Sequence, residues 1–127
     1  METRIGYKIM ARRKDNRLRS YNGLNGGKLW VIGKWERFAG DILMCNSGFH
    51  CWPQNVPDRF YETPSGLYED SVIAMVEYDA SEGNFKENQF PRKVVSKAMR
   101  IIRVVPIAYP CYDGQAAIKD AIESFYR

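Results

Sequence analysis

Val72-Ile73-Ala74-Met75-Val76-Glu77-Tyr78 is an apolar run of strand length, β-branched in part and broken only by Glu77. A run this short and this continuously apolar predicts a strand buried on both faces, at the centre of a sheet. Met99-Arg100-Ile101-Ile102-Arg103-Val104-Val105 has the same length and character and predicts a second central strand. Working outward, Ile5-Gly6-Tyr7-Lys8-Ile9-Met10 alternates, with Ile5, Tyr7 and Ile9 on one face, and predicts a first strand. A polar turn over residues 12–17 precedes a second short strand. Further short strands are expected at residues 29–32, 42–45 and 49–51, the last two separated by Asn46-Ser47-Gly48. Asn22-Gly23 and Asn25-Gly26-Gly27 are turn chemistry, because these residues tolerate positive φ.

Towards the C-terminus the period changes. Asp113 is placed to cap a helix in which Ala117, Ile118, Ala121, Ile122 and Phe125 recur on one face, leaving Lys119, Asp120 and Glu123 outward. A second, shorter helix is expected over residues 56–61 or 90–98. The fold class that follows is α+β: one domain over residues 1–127, a twisted, mostly antiparallel sheet with the C-terminal helix packed on it. No apolar run reaches the length of a membrane span, and the basic N-terminus lacks the apolar stretch of a secretory signal, so a cytoplasmic protein with no membrane partner is expected.

The net charge of +4 conceals a segregation. Residues 1–37 carry ten Lys and Arg against three acids, residues 38–91 two against nine, and residues 92–103 five against none. Either the basic and acidic stretches pair within the fold, or they join subunits of a homo-oligomer, or the basic ones form a face for phosphates of a nucleotide or nucleic acid. Aromatic residues crowd the first half beside the basic stretch, as a base-stacking surface requires. The ligand-binding candidates are Arg12, Arg13, Arg17, Lys28, Trp30, His50 and Trp52.

Cys45-Asn46-Ser47-Gly48-Phe49-His50-Cys51-Trp52-Pro53 holds the single histidine and two of the three cysteines. Reduced thiols are the expectation for an odd cysteine count in a chain without a signal. A metal centre would need Cys45, His50, Cys51 and Cys111 to converge, yet neighbouring strand residues point to opposite faces and there is no Cys-x-x-Cys pair; no metal is expected. Glu77, opposite Arg100 or Arg103, reads first as half of a structural ion pair.

Tyr7-Lys8, Trp30-Val31-Ile32-Gly33-Lys34, Cys45-x-x-Gly48-Phe49-His50, Phe60-Tyr61, Val76-Glu77, Lys93-Val94-Val95 and Met99-Arg100-Ile101 together resemble a family of short phage and prophage proteins. The likeness spans roughly residues 5–105, and its most specific element is Cys-x-x-Gly-Phe-His. It implies a phage protein acting in an infected bacterial host and no established activity; with the segregated charge and interleaved aromatics, the expectation is a counter-defence or host-modulating binder of a nucleotide-derived ligand or a host protein, without a cofactor. A weaker likeness is to the ADP-ribosyltransferase-like fold, carried by Tyr7, Gly48-Phe49-His50 and Tyr61. That likeness implies an enzyme using NAD, with Tyr7, His50, Tyr61 and Glu77 as its catalytic set, although the nearest approach to a Glu-x-Glu pair is Glu77-Tyr78-Asp79.

Overall fold

The computed structural model describes residues 1–12, 15–20, 28–55, 70–89, 92–111 and 113–127. Among these, the strands are β1 (Thr3–Arg12), β2 (Leu18–Ser20), β3 (Leu29–Trp30), β4 (Glu36–Arg37), β5 (Phe49–Pro53), β6 (Ser71–Asp79), β7 (Phe85–Gln89), β8 (Arg92–Ser96) and β9 (Ala98–Pro106), and the helix is α1 (Gly114–Ser124). All pairings are antiparallel, in the order β4-β9-β6-β1-β5-β8-β7, with β2 added to the far half of β1 and β3 to β2. The fold is α+β, a mostly antiparallel twisted sheet with one C-terminal helix.

Strand β6 is buried on both faces, which is why its sequence is apolar rather than alternating. Val72, Ala74, Val76 and Tyr78 look into one core with Met10, Leu18, Trp30, Cys51 and Val94. Ile73 and Met75 look into the other, with Tyr7 and Trp52, beneath Ile118, Ala121, Ile122 and Phe125 of the helix segment. The helix face expected from the sequence is the one that packs. Asp113 caps it through Oδ1, which accepts from the N–H groups of Gln115 at 3.0 Å and Ala116 at 3.2 Å.

The sheet curls around the first core. A single residue, Lys97, separates β8 from β9, so one extended stretch pairs with β5 and β7 before it and with β6 and β4 after it. The buried Ser96 hydroxyl secures this corner, donating 2.8 Å to the carbonyl of Asp79 at the end of β6. The rings of Tyr78 on β6 and Phe85 on β7 lie 6.3 Å apart, although β1, β5 and β8 stand between those strands in the pairing order.

Several local expectations are corrected. Residues 42–45 form a turn, not a strand: Leu43 and Ser47 exchange backbone hydrogen bonds at 3.0 Å, and Cys45 takes φ of +62°. Strand β3 stops at Trp30, leaving Val31 and Ile32 exposed. Residues 92–96 are strand rather than helix, since Val94 and Val95 are β-branched and bury opposite faces of β8. The alternative helix at residues 56–61 and the Asn-Gly turns at residues 22–27 lie outside the described residues.

Candidate anion-binding site

Strand β1 changes partner along one edge. Gly6 and Tyr7 pair with Pro53 and Trp52 of β5, whereas Met10, Ala11 and Arg12 pair with Ser20, Arg19 and Leu18 of β2. Lys8 and Ile9 occupy the fork between the two. Gly6 permits the close approach on the β5 side, because a Cβ there would lie 2.5 Å from the Trp52 carbonyl oxygen and 2.8 Å from Cys51 Sγ.

Alternation puts Lys8, Met10 and Arg12 on the face of β1 that lines the first core. The Lys8 ammonium donates to the carbonyl of His50 at 2.8 Å. Burial, assisted by repulsion from Lys93, pulls its pKa down to about 8, while Cys51 opposes the shift. The neighbouring Cys51 thiol is pushed up to about 12, also by burial. Arg12 is anchored through its backbone N–H to the Asp70 carbonyl at 2.8 Å, but its buried Nε has no hydrogen-bond partner. Among the described residues, no carboxylate lies within ion-pair distance of Lys8 or Arg12.

The expected ligand residues divide. Trp30 belongs to this face: it is buried, donates from Nε1 to the Ser20 hydroxyl at 2.9 Å, and meets Phe49 edge-on at 5.3 Å. Lys28 stands beside it, with Nζ 5.8 Å from the Trp30 ring and 3.2 Å from Glu36. Arg17 is exposed, and its backbone N–H donates to Asp15 at 3.1 Å. Trp52 is buried on the opposite face, beneath the helix. Arg13 and Tyr61 lie outside the described residues.

His50 acts first as a clip. Its Nε2 accepts the backbone N–H of Cys45 at 2.8 Å, pinning the turn that precedes β5. Burial and then repulsion from Lys93 and Lys8 lower its pKa to about 4, against the pull of the Gly48 and Leu43 carbonyls, so the ring is neutral at pH 7. The rest of the Cys-x-x-Gly-Phe-His motif is explained by the same turn. Gly48 has φ of +102°, and a Cβ there would come within 2.8 Å of both Ile42 and Val95; Phe49 enters the first core. Lys93 Nζ lies 3.9 Å from Cys45 Sγ at the tip of the turn.

Two residues of the NAD reading, Tyr7 and Glu77, stand apart from this face. Tyr7 is buried under α1 and its hydroxyl shares a hydrogen bond with that of Tyr126. Glu77 accepts from Thr3 at 2.8 Å and from Arg100 at 2.6 Å, and these partners hold its carboxyl below the usual carboxylate range. The group of three or more His, Cys, Asp and Glu side chains that a metal centre needs does not occur among the described residues.

Sequence reasoning passed over Lys8. Alternation sends Lys8 to the face opposite Ile5, Tyr7 and Ile9, which reads as the solvent side; it faces a core because both sides of β1 are covered. No helix among the described residues is long and apolar enough to cross a membrane. Comparison with protein-family models, with curated proteins and with solved structures returned no match to this chain.

Proposed function

We propose that this chain is a small binding protein that takes a nucleotide-derived anion at the fork in β1 where Lys8 and Arg12 lie, in the phage counter-defence setting that the Cys45–His50 motif suggests. The observation that carries the reading is the pair Lys8 and Arg12, two cations on one face of one strand with no carboxylate to neutralise them among the described residues. Burying cationic groups without counter-charge is costly, and a bound anion removes that cost. Their α-carbons are separated by roughly 13 Å along the strand, a span that suits a ligand with charge at more than one point. Trp30 and Phe49 pack against each other in the core on the same side of the sheet. The engaged state of Glu77 favours binding over glycosyl transfer, since a carboxylate already paired to Arg100 is not free to polarise a ribose.

Calorimetric titration with nucleotides, dinucleotides and cyclic nucleotides tests this. A member of the panel is expected to bind to the wild-type chain and to lose about tenfold or more in affinity in Lys8→Met and in Arg12→Met, the usual effect of deleting one partner of a charge-assisted contact. Absence of heat across the panel, with the chain folded, would overturn the small-molecule reading and leave a host protein as the partner.

A further inference from the structure

The two basic stretches, separate in sequence, become neighbours where β4 pairs with β9 through Glu36 and Met99 and through Arg37 and Ala98. On the helix-bearing side of these strands Arg37, Arg100 and Arg103 follow one another, because Arg37 stands opposite Ala98, Arg100 opposite Glu77, and Arg103 opposite Met75. Each guanidinium lies over an aromatic ring. Arg37 and Arg100 are 6.0 and 5.2 Å from the centroid of Trp35, and Arg103 is 5.1 Å from that of Phe125. A ring beneath a guanidinium fixes its plane while leaving N–H edges for phosphate oxygens and an outer face for a base.

We infer that this side of β4 and β9 is a binding surface for single-stranded nucleic acid, with Arg37, Arg100 and Arg103 tracking phosphates and Trp35 supporting the stack. Glu77 neutralises part of Arg100, whereas the Phe125 carbonyl to which Arg103 donates is neutral, so Arg37 and Arg103 contribute most of the uncompensated charge. The aromatic supports are what favour a nucleic acid over an acidic protein, which would need cations but no stacking planes. The surface is on the opposite side of the sheet from Lys8 and Arg12, and the inference does not depend on a ligand there.

Fluorescence anisotropy with a labelled oligothymidylate, between about 50 and 200 mM salt, is the test. Binding is expected to weaken with salt at a logarithmic slope of about −1.4, since each phosphate contact on a single strand contributes about 0.7 and Arg37 and Arg103 are the two uncompensated cations. Arg37→Gln should reduce that slope by about 0.7, and Arg37→Gln with Arg103→Gln should weaken binding by about tenfold at the lower salt. Lys119→Gln, on the outward face of α1, should bind as wild type. Thermal unfolding of each variant confirms that it is folded, and Arg37→Gln, exposed in β4, serves where Arg103→Gln does not fold. Absence of binding at low salt, or binding indifferent to Arg37→Gln, would overturn the inference. Equal competition by polyglutamate of matched charge would overturn it too, in favour of an acidic protein.

Discussion

The N–H of Cys45 and Nε2 of His50 meet at 2.8 Å, which fixes Nε2 as an acceptor and therefore requires an imidazole without a proton on that nitrogen. In the unfolded chain His50 titrates near its ordinary value, whereas in the fold its pKa is about 4. Between those values the unfolded state binds more protons, so stability rises with pH. The contribution is fully present above about pH 6.5 and is lost as pH falls towards 4, by roughly 2 kcal/mol once partial exposure is allowed for. Denaturant midpoints measured from pH 4 to 7 should show this slope in wild type and a shallower one in His50→Gln.

Lys8 should trade stability for binding. Its folded pKa of about 8 lies below the unfolded value, so the charged form is penalised in the fold and wild-type stability rises between pH 8 and about 10.5. Lys8→Met removes the buried charge. It should raise the thermal midpoint at pH 7 by a few degrees, remove this alkaline dependence, and weaken nucleotide binding by about tenfold or more.

Gly6→Ala should open the β1–β5 contact. The added methyl has backbone 2.5 Å away and Cys51 Sγ 2.8 Å away, so it cannot be absorbed by a side-chain rotation alone. A loss of about 1–3 kcal/mol is expected from the overpacking. Thiol labelling reports the same event. In wild type the exposed Cys45 should react readily and the buried Cys51 only on unfolding, whereas Gly6→Ala should bring forward the reaction of Cys51.

The helix is part of the core rather than an addition to it. Ile118 is wholly buried against the second face of the sheet, and Ile118→Ala should cost about 2–5 kcal/mol in urea or thermal unfolding. Removing residues 114–127 would uncover Tyr7, Trp52 and Ile73 together, and the shortened chain is expected to show no cooperative transition.

Where each side chain answers to its own neighbours along the chain, the sequence was readable. The apolar run at residues 72–78, the face of α1 and its Asp113 cap follow from periodicity and local hydrogen bonding. Strands β4 and β7 were not legible, because Glu36-Arg37 and Phe85–Gln89 are polar edge segments whose conformation is imposed by β9 and β8. The turn at residues 42–45 was missed for a similar reason. Its apolar residues suggested a strand, and the deciding partner is the imidazole of His50. Of the candidate site, Arg12 and Trp30 were legible as a cation and an aromatic, but their convergence with Lys8 is set by the change of partner along β1.

The position of β1 in the middle of the sheet sets the order in which the chain can acquire its structure. Thr3 finds its partner in Asp79, and Tyr7 stands opposite Trp52 on one side and opposite Met75 on the other in the paired strands. During synthesis residues 10–12 of β1 can pair at once with β2, but residues 3–9 must stay unpaired until β5 and then β6 have emerged, and β9 has still to follow. Contacts this distant in sequence make folding slow, on the order of milliseconds to seconds, and expose an apolar segment in the interval. The charges that interrupt it, Arg4, Lys8 and Arg12, are then its protection against aggregation before two of them turn inward.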